Sequence, residues 1–177
     1  MCDHYSKVIK KASTRVNLLK RMRCYINSRT ATIIYKSMII PTLTYCPLVT
    51  SCVSNTLLDR VATVETRARR IINCHKLTSN IPSVNTIFKK QCCTYVFRIL
   101  NSDVCDNFKN YFQTIVSQHE TRNNGRLVRL PKVRLEAARK AFFFNGGRIF
   151  NKLPINIRNS NDLKSFKLLL KKHEFLQ

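Results

Sequence analysis

Tryptophan is absent from this chain, and glycine and proline are scarce, with 3 and 5 among 177 residues. That scarcity excludes the Gly/Pro-rich composition of flexible or fibrous polymers. Long hydrophobic runs are missing too. None approaches the roughly 20 residues that a membrane-spanning helix requires, so an integral membrane protein is not expected. The first segment is charged and lacks the continuous apolar stretch of a secretory signal. Acidic residues number only 9, and no two of them are adjacent. Metal-dependent phosphoryl transfer needs carboxylates that converge on an ion. The nearest pair, Asp103 and Asp106, has no flanking apolar strand to hold it. Most of the others (Asp3, Asp59, Glu65, Glu120, Glu136, Asp162 and Glu174) read as caps or solvated helix residues. A glycine-rich phosphate loop is also lacking, because Gly146-Gly147 is not followed by Lys and Ser or Thr.

Cysteine is plentiful, but its spacing excludes the usual uses. The 8 cysteines include no Cys-x-x-Cys, and His4, His75, His119 and His173 form no ligand pair at finger spacing. Cys92-Cys93 and Cys74-His75 are adjacent pairs that suit one tetrahedral site poorly. On a helix the side chains of Cys74 and His75 leave about 100° apart, so they do not make a nucleophile and its base. Reduced cysteines used as small core residues are expected, as in an intracellular protein of the nucleus or cytoplasm. No catalytic residue, metal site or cofactor is expected of the chain by itself.

What the chain has is positive charge. It carries 32 Lys and Arg, for a formal net charge of +23. Repulsion on that scale destabilises a compact state unless a polyanion neutralises it. RNA or DNA is the first expected partner, and an anionic membrane surface is the alternative. The apolar fraction of 44% is ordinary for a globular protein. The length suits one domain or two small helical units.

Apolar periodicity predicts a mainly α chain. Residues 3–26 read as a helix, with Val8, Ala12, Val16, Leu19, Met22 and Ile26 in one stripe. Arg15 projects close to that stripe, so it must snorkel outward or find a partner. A second apolar stretch, 31–40, is expected to stop at Pro41, and 42–53 to be a bent connection or short broken helix. The clearest helix spans 57–73, opened by a capping box from Thr56 to Asp59. Its stripe is Leu57, Val61, Val64, Ala68, Ile71 and Ile72, with Arg60, Arg67 and Arg70 on the other side. A turn is expected at 79–82. Residues 84–100 read as a helix apolar all round, with Ile87, Phe88, Tyr95, Val96, Phe97, Ile99 and Leu100, and so suited to the middle of a core. A short helix over 104–112 follows.

The pattern changes near residue 118, where a polar turn signal, Asn123-Asn124-Gly125, sits in the stretch 118–125. Residues 126–130 read as a short extended segment closed by Pro131. A compact apolar plug at 141–144 precedes Gly146-Gly147, and a helical turn over 148–153 ends at Pro154. Asn161 is placed to cap a last helix over 162–175, with Leu163, Phe166, Leu169 and Leu170 as its core face.

Three stretches, 7–23, 122–140 and 164–172, are almost purely basic. A single lysine on a helix is usually just a solvated face, so the argument concerns the set. The candidate contacts to nucleic acid are Lys10, Lys11, Lys20, Arg21 and Arg23 in the first helix and Arg67 and Arg70 in the central one. Beyond residue 118 they are Arg126, Arg129, Lys132 and Arg134, then Lys164, Lys167 and Lys171 on the last helix. Phosphate contacts of this kind fix position on a backbone and read no sequence. Tyr25, Tyr111, Phe142, Phe143 and Phe144 are candidates for base stacking, with core packing the commoner role for the three phenylalanines.

Several stretches carry a resemblance. Lys11-Ala12-Ser13, Leu18-Leu19-Lys20-Arg21-Met22-Arg23, and Tyr35-Lys36-Ser37-Met38-Ile39-Ile40-Pro41 with Tyr45-Cys46 resemble the segment after the palm in non-LTR (LINE-type, jockey- and CR1-like) retrotransposon reverse transcriptases. Val64-Glu65-Thr66-Arg67-Ala68-Arg69-Arg70-Ile71-Ile72 is similar to that family's Q-x-R-A-x-R-x-I helix, with Glu65 where Gln is usual. Thr121-Arg122-Asn123-Asn124, Leu130-Pro131-Lys132-Val133-Arg134, 142–157 with Leu153-Pro154, and Leu163-Lys164-Ser165-Phe166-Lys167 are similar to its C-terminal end. The matches run in order over nearly the whole chain. The resemblance implies a thumb-like helical bundle over 1–117, then a small mixed, basic region over 118–177 with short extended segments and a terminal helix. It implies a remnant of an RNA-directed DNA polymerase without the catalytic palm, whose paired aspartates and Mg would belong to a part preceding residue 1. Met1 would then mark a truncated copy or a late start. Expected partners are RNA or DNA, the missing palm, or another copy of the chain.

Overall fold

The computed structural model describes residues 2–46, 53–72, 81–101, 106–115 and 126–175. Among them the chain is mainly α, with one two-stranded sheet. It divides into two compact units: the described part up to Ile87, and the described part from Phe88 onward. The division falls within one helix, whereas the change in composition falls near residue 118.

In the first unit α1 (Cys2–Met22) buries Tyr5, Ala12, Val16 and Leu19 on one side. The helix stops at Met22 and a turn follows, so Met22 is 38% exposed and leaves the expected stripe. Tyr5 extends that stripe toward the N-terminus instead. Arg15 does find partners, donating through Nη1 to the Met38 carbonyl at 2.7 Å and to Thr42 Oγ1.

The stretch ending at Pro41 does not stop there. Asn27 caps α2 (Ser28–Ile34) by accepting from the Thr30 N–H, and a π-helical turn, Tyr35–Ile39, leads into α3 (Ile40–Leu43). Proline has no N–H to give, and its ring collides with the carbonyl four residues back. A wider turn just before it, in which the Ile40 N–H reaches back to the Tyr35 carbonyl, lets the rod continue. Bends at Thr44 and Tyr45 end it, and Cys46, ahead of Pro47, takes a left-handed φ of 55°.

Helix α4 (Asn55–Ile72) starts two residues before the expected Leu57, and one before the expected capping box. Ser54 precedes it, and the Ser54 carbonyl accepts from the Leu57 and Leu58 N–H groups. Leu57, Val61, Val64, Ala68 and Ile72 are buried as the stripe predicts; each of the larger side chains, Ala68 apart, contributes about 1.5–3 kcal/mol on leaving water. Glu65 is buried beside them.

Helix α5 (Val84–Leu100) has the expected bounds. Ser83 Oγ accepts from the Thr86 N–H at its start. Its residues from Phe88 onward belong to the second unit, where Cys92, Cys93, Val96, Phe97 and Ile99 are buried in the middle of the core. There the short helix expected over 104–112 is, in its described part, a 3-10 helix, Asp106–Tyr111, which leads into β1 (Thr114–Ile115). β1 pairs antiparallel with β2 (Leu127–Val128), Thr114 opposite Val128. The extended segment at 126–130 thus exists, while its partner strand carried no periodic signal. The turns expected at 79–82 and 118–125 lie mainly outside the described residues.

After α6 (Glu136–Lys140), α7 (Phe142–Asn151) passes straight through Gly146-Gly147, which separate the expected plug from the expected turn. Both glycines are there for space. A Cβ on Gly146 would stand 2.8 Å from the Phe142 ring, and one on Gly147 2.9 Å from Leu130 Cδ2. Then come α8 (Ile155–Arg158) and α9 (Leu163–Lys172). Asp162, not Asn161, caps α9, its carboxylate accepting from the Lys164 and Ser165 N–H groups at 3.0 Å each. Phe166 and Leu170 are buried, with Phe166 stacked on Phe97 at 4.2 Å between centroids.

Candidate nucleic-acid interface

In the first unit α1 and α4 lie side by side and run in the same direction. Arg67 of α4 donates to Asn17 Oδ1 at 2.8 Å and to Ser13 Oγ at 3.4 Å, and further along Arg23 Nε donates to the Ile71 carbonyl at 3.0 Å. Lys10 lies one turn before Ser13, Lys20 one turn after Asn17, and Arg70 one turn after Arg67. The seam therefore gathers Lys10, Lys20, Arg67 and Arg70, all exposed. Arg21 is exposed on the solvent side of α1, and Lys11 on its other flank, away from the seam.

Arg23 leaves the candidate set. Besides Ile71 it serves the Ile26 carbonyl at 2.9 Å, Ser28 Oγ at 2.8 Å and the Ile72 carbonyl at 3.4 Å. The carbonyls of Ile71 and Ile72 belong to the last turn of α4, whose C-terminal carbonyls have no partner within the helix. A guanidinium with its fork of N–H donors fills that need.

Glu65 and Arg69 form the second polar constellation of this unit. The Glu65 carboxylate accepts from Arg69 Nη2 at 2.8 Å and Nε at 3.0 Å, and its other oxygen accepts from the Val84 N–H at 3.1 Å. Arg69 Nη2 also donates to the carbonyls of Ile81 and Pro82. The pair ties α4 to the start of α5, where a negative charge is favoured. Beside it, burial first and then the Glu65 charge push the Tyr35 phenol up to about 12, with Arg69 opposing.

In the second unit α9 presents Lys164, Lys167 and Lys171 as one exposed ridge, opposite buried Phe166 and Leu170. Lys90 from α5 donates to the Lys171 carbonyl at 2.9 Å, placing a cation at the helix C-terminus. Burial first, then the Lys90 charge, lowers the His173 pKa below its usual value. Arg126 is exposed but anchored: its backbone N–H donates to Asn159 Oδ1 at 3.1 Å and its Nη1 to Asn101 Oδ1 at 2.7 Å. Arg129, Lys132 and Arg134 are exposed along the extended stretch that follows β2.

Two features escaped the sequence reading. Arg158 is 2% exposed, and its Nε and Nη1 have no hydrogen-bond partner; burial lowers its pKa. Nothing in its position after Ile157 announces that. The exposure of Phe108, at 38%, also lay outside the stacking candidates.

No family model, curated protein or solved structure matches this chain. The site therefore rests on its own geometry. Among the described residues only Arg69 and Lys140 stand within 4.0 Å of a carboxylate, at 2.8 Å from Glu65 and 3.8 Å from Glu136. No group of three or more His, Cys, Asp or Glu is placed to hold a metal ion, again among the described residues. Cys92 and Cys93 are buried, as expected of core cysteines, and burial raises the Cys93 thiol pKa. Cys24 and Cys46 are exposed instead. No described helix is long and apolar enough to cross a membrane.

Proposed function

We propose that this chain binds RNA or DNA through its basic helical faces, without sequence preference and without a catalytic centre of its own. One observation carries the reading: the exposed lysines and arginines of the α1–α4 seam and of the α9 ridge have no carboxylate partner among the described residues. A phosphate backbone supplies the missing counter-charge, and release of its condensed cations drives binding. The resemblance to the post-palm part of non-LTR reverse transcriptases supports the same reading, since such a part would hold template and primer. Filter binding against RNA, DNA and hybrid duplex over a series of salt concentrations tests it. With roughly 6–10 phosphate contacts, affinity falls by about 10³–10⁵ between 50 and 200 mM salt. A flat salt dependence, or retention on acidic lipid vesicles with no RNA binding, overturns the proposal.

A further inference from the structure

The aromatic cluster of the second unit ends in an exposed tier. Phe108 and Tyr111 lie three residues apart on the 3-10 helix Asp106–Tyr111, whose three-residue turn puts them on the same side. They are 38% and 56% exposed. The Tyr111 ring stacks on Phe143 with centroids 4.3 Å apart and planes at 27°, and Phe108 lies against the same ring at 6.3 Å and 26°. Phe143 is half-buried and packs on Phe112 at 6.0 Å and Phe142 at 6.1 Å, both buried. Two exposed rings, each stacked on Phe143, thus share one support that is itself fixed to the core.

Among the described side chains the surroundings are basic. The Arg129 N–H donates to the Gln113 carbonyl at 2.8 Å, so its exposed side chain starts two residues from Tyr111 across the hairpin. Arg139, also exposed, lies four residues before Phe143. The carboxylate of Glu136 in this region is already engaged with Lys140 at 3.8 Å. Large exposed rings are unfavourable in water, and their persistence on a rigid support asks for a flat apolar ligand. The arginines ask for that ligand to be anionic.

We infer that Phe108 and Tyr111 form a stacking platform for unpaired bases of a single-stranded nucleic acid, with Arg129 and Arg139 beside its phosphates. Every base has a π-face to offer, whereas bases within a duplex expose only their edges. The platform therefore selects strand state, not sequence. It rests on the proposed function and adds to it a preference for single strands.

The test uses the full chain with a labelled oligouridine and a duplex of the same length. The wild type binds the single strand more tightly. A Phe108→Ala, Tyr111→Ala double variant loses about ten-fold or more in single-strand affinity, while duplex affinity holds within about two-fold. Tyr111→Phe keeps the ring and behaves as the wild type. Tyr111→Trp, in a chain with no other tryptophan, gives an indole emission quenched by the single strand and not by the duplex. Unchanged single-strand affinity in the double variant, or an emission indifferent to strand state, overturns the platform and leaves the basic faces standing. Failure of the wild type to bind either nucleic acid overturns both.

Discussion

Arg158 keeps a formal charge where two of its nitrogen atoms meet neither water nor an acceptor. A buried, unpaired cation costs several kcal/mol, and apolar groups of similar volume often replace buried charge at a gain. Arg158→Met is therefore expected to raise stability by about 1–4 kcal/mol, read by urea unfolding. A destabilised variant would mean that the guanidinium has a partner after all. Tyr35 gives a prediction in pH. In the folded chain its phenol holds its proton to about pH 12, against 10.0 in the unfolded chain. The unfolded chain therefore loses the proton first, and stability present below pH 10 is lost as pH rises toward 12. The loss is roughly 2–3 kcal/mol at most. Tyr35→Phe should abolish this part of the alkaline dependence; an unaltered curve would place its origin elsewhere. Neither residue's environment was legible in the sequence. A tyrosine or arginine in a helical pattern gives its position along the chain, but not which charges a distant helix will set beside it.

At the scale of elements, what was legible was what periodicity encodes. The stripes of α1 and α4 and the all-round apolar character of α5 follow from residue spacing, because burial needs apolar groups on the side that faces the core. The cap of α9, the start of α4 and the passage through Pro41 differ from expectation, since each depends on hydrogen bonds that spacing does not specify. Tyr35, Ile39 and Leu43, all buried at steps of four, were a usable sign of a turn wider than the α-helix. Of the candidate contacts, the lysines of α9 emerged as one ridge, and Arg23 turned out to be internal. Lys164, Lys167 and Lys171 are exposed on a capped helix, so their replacement by glutamine should leave the fold intact. If all three touch duplex phosphate, the triple variant lowers the slope of log affinity against log salt by about 2.7. An unchanged slope, with folding confirmed by circular dichroism, would remove this ridge from the interface.

For the whole molecule, composition was the more informative text. The ratio of 32 basic to 9 acidic residues by itself points to a polyanion. It could not say which side chains would gather, because the α1–α4 seam joins residues about 50 positions apart, such as Asn17 and Arg67. The order of basic stretches along the chain was visible; their alignment on neighbouring helices required the fold.

The scarcity of ion pairs among the described residues also bears on how the purified protein behaves. Its melting temperature belongs partly to the buffer, since any multivalent anion that collects on the folded surface lowers repulsion there more than on the expanded chain. Heparin or polyphosphate should raise the thermal midpoint well beyond what sodium chloride of equal ionic strength achieves. An identical response to both would show that the like charges are too far apart to feel one another.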